Sequence, residues 1–144
     1  VYTHIAHDCI IGNHCIIANS VSVAGHVEIH DGAVVGGLAG IHQFTKIGTL
    51  AMVAAGSMVA QDVLPYCMVH GDRAQMSGLN VVGLRRLGVK AEQLEHIKQM
   101  YKLVFNSSLT QDDAKAKIKQ DIPSSEFQNR FVAFLDASNR GLVR

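Results

Sequence analysis

The sequence predicts a β-solenoid plus α fold, a parallel β-helix of hexapeptide repeats over residues 1–70 followed by a loop and small helical domain over 71–144. Two observations predict it. Stepping by six from Ile5, the residues are Ile5, Ile11, Ile17, Val23, Ile29, Val35, Ile41, Ile47, Val53 and Val59, a period that neither an ordinary strand nor an α-helix produces. The pattern stops at Val63-Leu64-Pro65, after which apolar residues recur at helical spacing.

Each hexad supplies one short strand and a corner, and three hexads close a triangular coil of 18 residues. The β-branched residue points inward and stacks on its equivalent in the next coil, about 4.8 Å away. Four positions after it stands a mostly small residue (Cys9, Cys15, Val21, Val27, Ala33, Ala39, Thr45, Ala51, Ser57, Val63) suited to the tight space beside a corner. Turn formers lie between, at Asn13, Asn19, Gly25, Asp31, Gly32, Gly37 and Gly56. The repeat is already running at Val1, so further coils are expected upstream. Val69 to Gly78 reads as a loop, and Asn80 as the cap of a short helix through Leu87 that Gly88 ends. Leu94, Ile97, Tyr101 and Val104 mark a second helix, and Thr110 with Asp113 a capping box before Ala114 and Ile118. Pro123 and Ser124 open a last helix with Phe127, Phe131, Phe134 and Leu135 on one face.

Composition narrows the function. A chain of 144 residues with 48% hydrophobic side chains can bury a core, and a net charge of +1 without a basic patch argues against a nucleic-acid binder. No apolar run reaches the ~20 residues that cross a bilayer. Cys9, Cys15 and Cys67 have no metal-ligand spacing and read as reduced, packed thiols of a cytoplasmic protein.

The 18-residue period also says which side chains stack. Subtracting whole coils puts His4, His7, His26 and His42 at positions 4, 7, 8 and 6, so four histidines gather at one corner, whereas His14 and His30 fall elsewhere. Asp8 adjoins His7, Gly25 lies over His7 one coil on, and Gln43 lies over Gly25. One histidine at a corner is usually only solvated. Four, with a carboxylate and a glycine among them, suit acyl transfer. An imidazole can take the proton of an acceptor hydroxyl, as proposed for His7. A carboxylate can hold its tautomer, the proposed part of Asp8. A glycine lets its N–H approach an oxyanion, the proposed part of Gly25. A zinc site is the main rival. The hexapeptide carbonic anhydrases pair histidines five apart, and no two histidines here are, so no metal is assigned.

The segments His4-Ile5-Ala6-His7-Asp8-Cys9, Gly25-His26-Val27, Ile41-His42-Gln43-Phe44 and Val59-Ala60-Gln61-Asp62-Val63 with Pro65-Tyr66 resemble the UDP-N-acetylglucosamine acyltransferases. So do Gly71-Asp72-Arg73-Ala74, the run from Gly78 to Arg86, and the ending Arg140-Gly141-Leu142; the resemblance covers essentially the whole chain. It implies a left-handed β-helix, a cytoplasmic homotrimer with active sites between neighbouring β-helices, and no cofactor of the protein's own. The acyl donor would be carried on the phosphopantetheine of acyl carrier protein and the acceptor would be UDP-N-acetylglucosamine, acylated on its 3-hydroxyl in the first step of lipid A synthesis. His7 would be the base, Asp8 its orienting partner and Gly25 N–H the oxyanion donor. His4, His26, His42 and Gln43 would line the nucleotide-sugar pocket, with Asn80 and Arg86 reaching the nucleotide of the neighbouring site. Ala54 and Ala55 would border the acyl-chain groove, and Arg73, Arg85 and Lys46 are candidates for docking the acidic carrier. Many members of that family have Glu where Val82 stands and a basic residue where Leu87 stands, which removes two polar partners for the nucleotide. The related N-acyltransferase of the same pathway and a coenzyme A-dependent hexapeptide acetyltransferase are the nearest alternatives, and a non-catalytic solenoid the alternative from another class.

Overall fold

The first half folds as it does because no hexad can bury its Ile or Val alone. The structure, a computed structural model, describes residues 1–106 and 108–144. Ten two-residue strands follow one another: β1 (His4–Ile5), β2 (Ile10–Ile11), β3 (Ile16–Ile17), β4 (Ser22–Val23), β5 (Glu28–Ile29), β6 (Val34–Val35), β7 (Gly40–Ile41), β8 (Lys46–Ile47), β9 (Met52–Val53) and β10 (Met58–Val59). Each pairs in parallel with the strand three places on, and the register steps by 18 residues, as in His4 with Ser22 and Ser22 with Gly40. Three sheets result, ordered β1-β4-β7-β10, β2-β5-β8 and β3-β6-β9, the faces of a triangular β-solenoid of about four turns.

The second residue of each strand points inward. Val23, Ile29, Val35, Ile47 and Val53 are fully buried, and so are the small residues Val21, Val27, Ala33, Ala51 and Ser57. In the first coil Ile5 and Ile11 remain 43% and 37% exposed, because here they have an inward neighbour on one side only. Every corner turns through a left-handed residue at six-residue spacing: Tyr2, Asp8, His14, Ser20, His26, Leu38, Phe44 and Leu50, with Gly32 and Gly56 completing the series. A non-glycine residue costs about 1–2 kcal/mol in that conformation. The conformation recurs at every corner, so it belongs to the solenoid and does not mark a site.

The segment expected as a loop is instead a hairpin. β11 (Cys67–His70) and β12 (Gln75–Leu79) pair antiparallel with a bulge at Met68/Val69, and β11 extends the third sheet through β9. Gly71, Asp72 and Gly78 mark only its turn and its irregular end. The chain falls into two compact units, 1–80 with 138–144, and 81–137. The compositional boundary at residue 70 therefore lies inside the first unit, and the last seven residues return to it.

The helical unit contains α1 (Val81–Arg86), α2 (Ala91–Phe105), α3 (Gln111–Asp121) and α4 (Glu126–Ala137). α2 buries Leu94, Ile97, Met100 and Val104, with Met100 taking the core place expected of Tyr101. Thr110 caps α3 by accepting from the Asp113 N–H at 3.1 Å. In α4 the first capping hydroxyl belongs to Ser125, which accepts from the Gln128 N–H at 3.2 Å. The buried Gln128 amide donates to the Ile118 and Ile122 carbonyls at 3.0 and 2.8 Å, satisfying the open end of α3. Phe131, Phe134 and Leu135 complete this core.

Candidate active site

The corner between the first and second faces places Asp8, His26 and Phe44 at equivalent positions of three coils, with His7 and Gly25 one residue earlier. The Nδ1 of His7 lies 2.9 Å from Asp8 Oδ2, and the Nε2 of His26 lies 3.7 Å from the same oxygen. The His7 bond, and after it the charge of His26, holds the Asp8 carboxyl below its ordinary value. The two imidazoles meet edge to face at 5.1 Å, and His26 stacks on Phe44 at 4.8 Å with the planes 13° apart.

The His7 ring lies directly over Gly25. A Cβ on Gly25 would stand 2.8 Å from His7 Cε1 and 2.9 Å from Nε2, so only glycine admits the ring there. The Gly25 carbonyl accepts from the Phe44 N–H at 3.1 Å, and the His7 carbonyl from the His26 N–H at 3.0 Å. The Gly25 N–H itself donates to no group among the described residues. With Nδ1–H given to Asp8, Nε2 is the basic nitrogen, and it sits beside an uncommitted backbone donor.

On the first face runs a groove of about 550 Å³ that crosses all four coils. Its walls are mostly apolar, with Ala6, Val23, Ala24, Gly40, Ile41 and Met58 among them, and His4 and His42 line it. On the second face a smaller, polar hollow of about 480 Å³ touches Asp8, His26, Phe44, Lys46 and Arg140.

Residues 62–143 match the family model described as UDP-N-acetylglucosamine O-acyltransferase, domain 2. The chain belongs to the UDP-N-acetylglucosamine O-acyltransferase family. The acyl-[acyl-carrier-protein]–UDP-N-acetylglucosamine O-acyltransferases of Anaeromyxobacter sp. (strain K) and Alkalilimnicola ehrlichii are 46% and 44% identical to it over 99% of its length. The chain spans about 55% of the length of those relatives. LpxA from Acinetobacter baumannii superposes with a TM-score of 0.94 at 45% identity, covering 99% of this chain and 55% of that one. The UDP-N-acetylglucosamine acyltransferase of Bacteroides fragilis gives 0.93 at 35% identity, covering 99% and 56%.

Within this member of the family, the four histidines expected at one corner divide. His7 and His26 meet Asp8 at the corner, whereas His4 and His42 line the groove on the first face. Gln43 approaches His42 through its carbonyl, 3.2 Å from Nδ1. Asn80 is nearly buried and donates its amide to the Leu50 carbonyl at 3.0 Å, an anchoring bond within the β-helical unit. Arg86 ends α1 in the other unit and is exposed. Ala54 and Ala55 stand at a different corner, under Gly36, and neither lines the groove. Lys46 is less available for docking than its sequence context suggested, since its ammonium is bonded to Glu28 at 2.6 Å; Arg73 and Arg85 are exposed. His7, Asp8 and His26 also offer three ligand atoms within 4.8 Å of one another, an arrangement that histidine spacing along the chain could not disclose.

Two residues quoted in the motifs above take a place at the site that the sequence did not assign them. Phe44 reduces to the same coil position as His26, so the period places it at the corner, but its side chain has no titratable group to mark it as functional. Arg140, whose Nη2 lies 3.3 Å from His42 Nδ1, is 98 residues away in sequence and outside the repeat, so no period could connect the two.

Proposed function

We propose that the protein is an O-acyltransferase that moves a 3-hydroxyacyl chain from acyl carrier protein to the 3-hydroxyl of UDP-N-acetylglucosamine, the first step of lipid A synthesis. The observation that carries this reading is the His7 ring seated on Gly25 with its Nδ1 bound to Asp8. His7 Nε2 takes the proton of the sugar hydroxyl as that oxygen attacks the thioester carbonyl. Negative charge then gathers on the carbonyl oxygen, where the open Gly25 N–H can donate to it. Collapse of the intermediate breaks the carbon–sulfur bond, and the departing thiolate recovers the proton from His7. Asp8 stabilises the imidazolium between these steps and holds the tautomer that leaves Nε2 basic.

The groove on the first face suits the acyl chain, being apolar over a span of about 14 Å if four coils stack at the usual strand spacing. His4, His26, His42 and Gln43 contact the acceptor in this reading, and Ala54 and Ala55 border the chain only if a neighbouring copy brings its own groove to their corner. The same reading makes the working enzyme a homotrimer of the cytoplasm, with Asn80 and Arg86 serving the nucleotide of a neighbouring site and Arg73 and Arg85 meeting the carrier protein. Among the described residues no helix is long and apolar enough to cross a membrane. The chemistry needs no cofactor beyond the donor's own phosphopantetheine.

The test is a mass-spectrometric assay of the native full-length protein with UDP-N-acetylglucosamine and a panel of 3-hydroxyacyl-acyl carrier proteins, with and without a chelator. O-acylated nucleotide sugar is expected, unaffected by the chelator, with His7→Ala slower by about 10²–10⁴-fold. No transfer by a folded protein would sink the substrate assignment. Loss of activity on chelation would reassign His7, Asp8 and His26 to a metal.

A further inference from the structure

After the helices, residues 138–144 come back to the β-helical unit, and Asp62 holds them there. Asp62 is fully buried. Its N–H donates to the Gly141 carbonyl at 2.9 Å and its carbonyl accepts from the Val143 N–H at 2.9 Å, forming a bridge beside Leu142. Its carboxylate accepts from the Ser138 hydroxyl at 2.6 Å and from the Lys46 N–H at 2.8 Å. Gly141 has a φ of +79°, a left-handed conformation that strains any other residue at this point of the tail.

The clamp delivers one side chain to the groove's histidine. Arg140 Nη2 lies 3.3 Å from His42 Nδ1, and its Nε is buried without a hydrogen-bond partner. A buried, unpartnered donor costs free energy. Among the described residues Arg140 has no carboxylate partner either, so its placement is not explained by stability.

A guanidinium carries donors only and stays charged at every working pH. It bonds to His42 Nδ1 only if that nitrogen is bare. The same Nδ1 lies 3.2 Å from the Gln43 carbonyl oxygen, which can only accept and would require Nδ1 to carry the proton. One nitrogen cannot serve both neighbours, and the choice sets the tautomer. A charge-assisted bond is roughly twice as strong as a neutral one, which favours the arginine. His42 then carries its proton on Nε2, the nitrogen left available to the groove that His42 lines.

We propose that Arg140 is a positioning residue: held by the Asp62 clamp, it fixes His42 in the neutral Nε2–H tautomer, so that His42 meets the substrate as a donor. This rests on the reading of the groove as an acyltransferase site. Without Arg140, Nδ1 carries the proton and donates it in a hydrogen bond to the Gln43 carbonyl, and His42 turns its bare Nε2, an acceptor, toward a substrate oxygen.

The test uses the native full-length protein with ¹⁵N-labelled histidine, comparing wild type, Arg140→Ala, Arg140→Gln and Arg140→Lys, with His42→Gln assigning the signal. Two-bond proton–nitrogen correlations distinguish the tautomers. Wild type is expected to show Nε2–H, and Arg140→Ala and Arg140→Gln a shift toward Nδ1–H. KM for the nucleotide sugar should rise about tenfold, the loss of one neutral hydrogen bond, with kcat changed less than about twofold. Arg140→Lys should restore both in part. A Nδ1–H or doubly protonated His42 in wild type would overturn the proposal, and so would Arg140 variants with unchanged tautomer and KM whatever their melting temperature. If wild type transfers no acyl group, the functional reading fails, and the tautomer measurement still decides the role of Arg140.

Discussion

At the residue scale the corner depends on what Gly25 lacks. Its φ is ordinary, so alanine is conformationally acceptable, but the added methyl would occupy the space of the His7 ring, 2.8 Å from Cε1. The ring is exposed and can swing away, which costs little stability and much geometry. With His7 as the proposed base, Gly25→Ala is therefore expected to lower kcat by about 10²-fold, with the urea midpoint nearly unchanged. A variant of normal rate would show that His7 need not lie over residue 25. Thr45 presents the opposite case, a residue far from solvent whose hydroxyl finds no partner. It occupies one of the small inward positions, in the same column as Val27 and Val63, both fully buried. Removing the hydroxyl at constant shape relieves an unsatisfied buried group, so Thr45→Val should raise stability by about 1 kcal/mol, read as a higher urea midpoint at constant slope. A lower midpoint would mean that the hydroxyl is satisfied in solution. Neither feature is visible in composition, yet Gly25 was found from the sequence because the coil period superposes it on His7, whereas nothing in the sequence says that Thr45 lacks a partner.

At the element scale, β5 and β8 show how coil stacking sets charge chemistry. The 18-residue register puts Lys46 beside Glu28, and Glu28 also faces His30 at 3.3 Å. The lysine bond lowers the Glu28 pKa, burial opposes it, and His30 adds to the lowering. A carboxyl whose folded pKa is depressed contributes stability above its unfolded value and loses it as pH falls through the folded one. Glu28→Gln should therefore cost stability at pH 7, about 1 kcal/mol or less because the carboxylate is a third exposed. The cost should fade below about pH 4, where the unfolded glutamate protonates. Thermal midpoints of both proteins across pH 3–8 would show this, and a gap independent of pH would exclude the ion pair as its cause. The strands were legible because each hexad maps onto one strand and each coil onto one register step. The hairpin was not. Gln75 to Leu79 has no β-branched residue, and its strand pairs only because β11 continues the third sheet beside it. Helix starts were legible to the residue at Thr110 and one residue early in α4, where the capping hydroxyl is that of Ser125 and not of Ser124.

At the scale of the whole molecule, the chain leaves the β-helical unit at Asn80 and re-enters it at Ser138, so a unit whose core is solenoid also depends on seven residues that follow the helices. No sequence period could announce that return, because the tail lies outside the repeat and meets the unit through a few separate bonds, to Asp62, His42 and Met76. Its contribution can be judged from its parts. Leu142 and Val143 are almost fully buried, each worth about 1.5–3 kcal/mol, and the Ser138 bond to a charged acceptor adds about 1.5–3 kcal/mol. These are large fractions of the ~5–15 kcal/mol that hold a domain together. The helical unit has a separate core, in which Phe131 is fully buried, and Phe131→Ala should cost about 3–5 kcal/mol there. Two cores imply two separable responses to hydrogen exchange. Deleting residues 138–144 should speed exchange in β7 to β10, nearest in sequence to Asp62, and leave α2 to α4 protected. Phe131→Ala should do the reverse. Equal loss of protection in both units from either change would show one cooperative core, and the tail would then be holding the molecule as a whole rather than the end of its solenoid.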